Sequence, residues 1–249
     1  LYAQHENLLT VIDDHEKKLF NKYLNCSINR AELEESLLFL SELLFKFYKQ
    51  KVYILIDEYD TPLNCAYLCD CLNELTSLMR NLFSVALKDN PYLQQGIMTG
   101  ITRISKDSML SGLNNLKVYT LLEEKYSNYF GFTDIELDYL FKEQDLEYNK
   151  IAAKTWYNGY LFGNTTIYNP WSILSCLDKK GKFEAYWVHT SNNDIIKEVL
   201  LEFKPEVQSK IIELMQGKKI IAEIDSSVAF DELANHAASF WSLMLFGGY

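Results

Sequence analysis

The chain is predicted to adopt an α/β fold in two parts. A parallel sheet with helices comes first, and a mostly α-helical unit carrying one small hairpin follows. Three observations predict this. Val52-Tyr53-Ile54-Leu55-Ile56 is an unbroken apolar run with β-branched and aromatic members, the pattern of a strand buried on both faces of a parallel sheet. The run is preceded and followed by segments of helical periodicity, which gives the α-then-β succession of a wound sheet. Beyond residue 124 the pattern turns helical, with cap signals at Thr133, Asn158-Gly159, Asn169-Pro170 and Pro205.

In chain order, residues 1–30 are polar and read as helical with breaks. From Ala31 to Tyr48 apolar residues fall at Leu33, Leu37, Leu38, Leu40, Leu43, Leu44, Phe45 and Phe47, an amphipathic helix with a wide buried stripe. Lys46, Lys49 and Lys51 favour its carboxyl end. The strand over Val52–Ile56 follows, and Thr61-Pro62 breaks it. Residues 72–88 repeat Leu72, Leu75, Leu78, Met79, Leu82, Phe83 and Leu87 at helical spacing, ending at Asp89-Asn90-Pro91. Gly96 to Arg103 reads as a short strand ending in Thr and Gly. Residues 108–115 read as a loop and Lys117–Leu122 as a further strand.

In the second part, Thr133-Asp134-Ile135-Glu136 has the capping-box pattern and starts a helix to about Lys142. A helix over about 148–157 ends at Asn158-Gly159. Tyr160-Leu161-Phe162 and Thr166-Ile167-Tyr168, joined through Gly163-Asn164, read as a hairpin. Asn169-Pro170 opens a helix ending near Gly181. Further helices are read over about 193–203, from Pro205 to Gly217, and over about 231–246, with a short strand at Ile220–Ile224. The boundary falls near residue 124, dividing the chain into 1–124 and 125–249.

Composition narrows the function classes. The 249 residues carry a net charge of −10, which argues against a nucleic-acid surface spread over the whole molecule. No apolar run approaches the roughly 20 residues of a membrane span. The chain opens with Leu1 and shows no signal-peptide pattern. Five cysteines are an odd number without framework spacing, so reduced thiols in the cytoplasm are expected. Cys65, Cys69 and Cys71 cluster, but not with C-x-x-C spacing and with no His nearby, which disfavours zinc. Between Trp156 and Trp187, aromatics without a basic stripe favour packing of a small core over base stacking.

The chemistry-bearing stretch is Ile56-Asp57-Glu58-Tyr59-Asp60. In α/β sheets functional side chains sit at the carboxyl ends of strands. An acid there can hold magnesium against nucleotide phosphates, and a following Glu can orient and polarise water. The plain alternative is a strand followed by a solvated acidic turn. Thr99 or Thr102, at the end of the next strand, could sense a phosphate, and Arg103 could grip one with its planar fork. An Arg paired to a nearby carboxylate is the simpler reading of that residue. A phosphate cradle of the form G-x-x-x-x-G-K-[ST] is absent. Gly181-Lys182 and Gly217-Lys218 are the only Gly-Lys pairs, and neither is followed by Ser or Thr.

The chain resembles the bacterial predicted AAA-ATPase-like family, whose members often carry a C-terminal PD-(D/E)XK nuclease-like domain. The resemblance rests on LIDEYDTPL (55–63), on RNLFSVALKDNPYL through GITRISKDSMLSGLNNL (80–116), on YFGFT (129–133), on WYNGYLFG through YNPWSIL (156–174) and on AFDELANHAASFWSLMLFGGY (229–249). It implies an incomplete P-loop NTPase-type sheet followed by a lid-like helical part. It also implies ATP and Mg as ligands, Asp57 as the metal acid, Glu58 as the water-polarising base, and Thr99, Thr102 and Arg103 near phosphate. Two departures from the family stand out: the Gly-Lys-Ser loop with the first strand, and the nuclease-like domain. The expectation is therefore a piece that binds ATP weakly alone. It would complete its sheet by self-association or by a missing N-terminal segment.

Two other readings compete. One is a non-enzymatic interaction module, with the aromatic-rich half docking a partner. The weaker one makes Asp57, Glu58 and Asp60 a magnesium nuclease centre, which the acidic balance and the lack of a D…ExK pattern disfavour.

Overall fold

The computed structural model describes residues 1–69, 71–101, 110, 113, 115–157, 159–187, 200, 205–225 and 236–248. The chain divides into two compact units: Leu1–Leu116 with Glu202–Leu243, and Lys117–Leu201 with Met244–Tyr249.

The first unit begins with a 3-10 segment, Tyr2–Thr10, and then α1, Asp14–Leu24. Asp13 caps α1: its carboxylate accepts the His15 and Glu16 amides, while Glu16 reaches back to the Asp13 amide at 3.0 Å. The helix read over 31–48 is two helices, α2 (Arg30–Glu34) and α3 (Ser36–Tyr48), broken at Glu35. Asn29 and Glu32 form a second capping box at the start of α2. Phe20, Leu8 and Leu43 are fully buried with Tyr2, Tyr23 and Leu40 around them, and the Tyr2 and Tyr23 rings stack at 4.3 Å. This cluster fixes the amino-terminal helices to α3, because burying such aromatics supplies most of the driving force for packing.

Two strands form the unit's sheet. β1 (Val52–Ile56) and β2 (Leu93–Met98) are parallel neighbours, with Tyr53 opposite Gln95, Ile54 opposite Gly96, Leu55 opposite Ile97 and Ile56 opposite Met98. Between them run α4 (Thr61–Leu68) and α5 (Leu72–Leu87). Thr61-Pro62 thus opens a helix as well as ending the strand, since Pro is pre-set for a first helical turn. α3 packs against β1 and α5 against β2. At Gly96, under α5, an added Cβ would stand 2.7 Å from Leu87 Cδ2, so that side chain would have to shift.

The expectation that β1 is buried on both faces is corrected. Its burial alternates, and Tyr53 and Leu55 are 63 % and 71 % exposed, with Ile97 beside them at 46 %. Val52, Ile54 and Ile56 face the helices. Among the described residues no second helical layer covers the other face. An apolar run therefore overstates burial when only one layer is present.

The second unit carries β3 (Phe132–Thr133), β4 (Tyr160–Phe162) and β5 (Thr165–Tyr168) as an antiparallel sheet in the order β3-β5-β4. The predicted hairpin is β4–β5, turned at Gly163-Asn164. α6 (Asp134–Glu143) starts at the predicted capping box of Thr133 and Glu136. α7 (Lys150–Trp156) and α8 (Pro170–Asp178) follow, α8 capped by the Asn169 side chain, which accepts the Ser172 amide at 3.0 Å. Leu137, Phe141, Ala153, Ile173 and Cys176 are fully buried in one core with Leu146 and Tyr168. Lys154 bridges Asp134 and Asp138 on the rim of this unit.

Two expected strands do not form. Residues 117–120 lack regular structure, and Leu121-Leu122 form a turn. No described strand lies beside them, and the Leu121 carbonyl is taken by the Gly163 amide at 2.7 Å. Ile220–Ile224 is likewise irregular. A β-prone run needs a neighbour for its ladder bonds. Beyond these, helices span Pro205–Met215 and Ala237–Phe246. The helix read over 193–203 lies outside the described residues except for Leu200, as do residues 231–235 of the last predicted helix. Packing of the aromatics is mixed: Tyr157, Phe183 and Tyr186 pack on the core, whereas Trp156, Trp171 and Trp187 are exposed.

Among the described residues no helix is long and apolar enough to cross a membrane.

Candidate functional site

The parallel register carries both strand ends to one place. β1 ends at Ile56 and β2 at Met98, directly opposite, so Asp57-Glu58 and Thr99-Gly100 leave the sheet together. The ladder continues one step further: the Thr99 amide donates to the Ile56 carbonyl and the Tyr59 amide to the Thr99 carbonyl, both at 2.9 Å.

Thr99 is the junction. Its hydroxyl donates to Asp57 Oδ1 and accepts the Glu58 amide at 3.2 Å. One hydroxyl gives one bond and receives one, so it orients the Asp57 carboxylate and the Glu58 backbone at once. Glu58 sits in the left-handed region at φ 51, a conformation that costs a non-glycine residue energy and persists where the surroundings impose it. Its carboxylate Oε2 accepts the Thr61 hydroxyl at 3.3 Å, at the start of α4. Asp57, Glu58 and Thr99 are all exposed, so a ligand can reach both carboxylates.

Behind this exposed face lies Asp60, only 2 % exposed. Its Oδ2 accepts the Ile101 amide at 3.0 Å. Tyr59 is buried beside it, and the two side chains close on Gly100: a Cβ there would stand 2.7 Å from Tyr59 Cε1 and 2.8 Å from Asp60 Oδ1. Only glycine fits such an approach.

The structure thus brings Asp57, Glu58 and Thr99 together. Thr102 and Arg103 lie outside the described residues. Sequence reasoning missed the part played by Asp60 and Gly100. The DEYD run contains Asp60, but nothing in one sequence marks which acid of a run is buried.

Hard oxygen donors suit magnesium, which typically takes one or two carboxylates and completes its shell with water and phosphate oxygens. Asp57, exposed and held by Thr99, fits that limited share of ligation. Among the described residues no group of three or more His, Cys, Asp or Glu is placed to hold a metal ion by protein ligands alone. Cys65, Cys69 and Cys71 are exposed free thiols.

A parallel strand pair backed by helices, ending in an acid turn, defines a mixed α/β protein with a candidate site at its strand ends. The family described as Predicted AAA-ATPase, AAA-ATPase-like, matches this chain over residues 2–110. That stretch includes the acid turn and Thr99, so the similarity to this family extends over the candidate site. A relative described as an uncharacterized protein in the vnfD 5' region of Azotobacter chroococcum mcd 1 is 30 % identical over 154 residues, which are 61 % of this chain and 30 % of the relative. The chain therefore spans less than a third of that relative's length. No solved structure matches the chain.

Proposed function

We propose that residues 1–124 carry the magnesium and water-activating end of an ATP-hydrolysing site of the P-loop type, and that residues 125–249 are its lid-like part. The single observation carrying this reading is the Thr99 hydroxyl joining Asp57 to the neighbouring parallel strand. A solvated acidic turn needs no such bond. A site that must hold a metal-bearing carboxylate in one direction does. The family match over residues 2–110 supports it.

Asp57 would hold Mg²⁺, which, when bound, neutralises charge on the phosphates. Glu58 would orient the attacking water and accept its proton, since Thr61 and Thr99 fix the side chain and backbone from which its carboxylate projects. Thr99, with Thr102 and Arg103, would lie toward the phosphates. No Gly-rich cradle with Lys and Ser or Thr exists in these residues. Catalysis of this type is positioning plus electrostatics, so the chain alone should bind Mg-ATP weakly. Calorimetry with and without magnesium, using Asp57→Ala as control, tests the reading. Weak magnesium-dependent binding that the substitution removes supports it, and binding equal in both proteins contradicts it.

A second reading, a partner-docking module, is favoured by one feature of the second unit. Tyr160, Leu161, Phe162 and Trp187 line an apolar concavity, and Trp187 and Leu161 are exposed. Exposed apolar surface of this kind marks interaction sites. ATP turnover abolished by Glu58→Gln would exclude a purely non-enzymatic role.

A further inference from the structure

We propose that Asp60 is a positioning residue that sets the geometry of Asp57, Glu58 and Thr99 from behind. Its functional meaning rests on the nucleotide reading above; its structural content does not.

Thr99 and Ile101 flank Gly100 on one segment, and Asp57 and Asp60 flank the Glu58-Tyr59 turn on the other. In front, exposed to solvent, the Thr99 hydroxyl ties the two segments through Asp57 and the Glu58 amide. At the back, Asp60 Oδ2 ties the same two segments through the Ile101 amide at 3.0 Å. Between them runs the backbone bond from the Tyr59 amide to the Thr99 carbonyl, 2.9 Å. The front bonds compete with water because their residues are exposed. The rear bond does not, since Asp60 is 2 % exposed, and a hydrogen bond shielded from water is the stronger kind.

The rear latch therefore holds the two loops in register, and the front hydroxyl uses that register to aim Asp57. Gly100 is part of the same device. The missing side chain lets Tyr59 and Asp60 close onto the backbone at distances no Cβ would allow. Supports of this sort, one step behind the ligating group, typically change metal affinity or activity 10- to 100-fold when removed.

Two readouts on the full chain separate this inference from its parent. The first is the amide NMR signals of Glu58 and Ile101 without nucleotide. The second is magnesium-dependent ATP binding. Asp60→Ala should move both amide signals and weaken Mg-ATP binding at least about 10-fold. Asp60→Asn, whose side-chain carbonyl can still accept the Ile101 amide, should leave the Glu58 signal near its wild-type position. Should Asp60→Ala fail to fold, Asp60→Glu carries the same test, because one added methylene displaces the accepting oxygen. The inference is overturned if Ile101 shifts alone while Glu58 and Mg-ATP affinity stay at wild-type values. If wild type binds no Mg-ATP, the nucleotide reading fails, and the paired movement of the two amides still decides whether Asp60 sets the turn.

Discussion

At the scale of single residues, the site turns on one hydroxyl. Thr99→Val keeps the side-chain shape and removes both of the hydroxyl's bonds, to Asp57 and from the Glu58 amide. All three residues are exposed, so water replaces the lost partners and the stability cost should be about 1 kcal/mol or less. Magnesium-dependent nucleotide binding should fall far more than stability does. Thermal melting beside a Mg-ATP titration checks this, and parallel losses in both would contradict it. Glu184 offers a pH test of a different kind. Hydrogen bonds from Lys179, then Lys182, hold its carboxyl down to about 2, against an ordinary 4.5. A depressed carboxylate stabilises the fold above its unfolded value, so this contribution is present above pH 4.5 and is lost as pH falls through about 2. The group is exposed, and salt should screen it. A carboxyl NMR titration at low salt should therefore give a midpoint near 2, rising in high salt. The strand-end positions of Asp57, Glu58 and Thr99 were legible in the sequence because strand ends announce themselves as apolar runs meeting polar residues. Asp60 was not, because burial of one acid in an acidic run depends on what packs over it.

At the scale of elements, cap chemistry was the most legible signal. The Thr133–Glu136 box, the Asn169-Pro170 start and the Gly163-Asn164 turn each place their element where the structure has it. These are local bonds, decided within four residues. Thr133→Ala removes the acceptor for the Glu136 amide and should cost about 1 kcal/mol, read as a lowered midpoint in urea. The Asn29–Glu32 and Asp13–Glu16 boxes are equally local. Strands were less legible. Lys117–Leu122 has a strand's composition but, among the described residues, no strand beside it, and two of β1's five apolar side chains are exposed. Strand formation is a property of neighbours, which a single stretch of sequence does not contain. In the second unit's core Phe141 is fully buried among Leu137, Ile173 and Cys176. Phe141→Ala should destabilise by about 3–5 kcal/mol, visible as a large drop in melting temperature. A drop no greater than that of a surface substitution would show the core to be wrongly placed.

At the scale of the whole molecule, the mixed α/β class was legible because the sheet-forming and helix-forming stretches alternate. The division into units was less so. A boundary near 124 follows chain order, whereas the compact units part at 116 and 117 and Glu202–Leu243 returns to the first. Returning segments are invisible to a reading that moves along the chain, because they are set by long-range contacts. The net charge of −10 adds a global condition on the site: a cation is drawn to the surface everywhere, so specificity must come from oriented groups. The most direct measurement is therefore site-resolved. Mn²⁺ can stand in for Mg²⁺ beside phosphate and carboxylate oxygens, and its unpaired electrons broaden nearby amide signals. With ATP present, trace Mn²⁺ should broaden the amides of Asp57, Glu58, Thr99 and Gly100 first, and Asp57→Ala should remove that preference. Broadening spread evenly over the acidic surface, or unchanged by Asp57→Ala, would contradict the assignment of Asp57 as the metal-bearing acid of a nucleotide site.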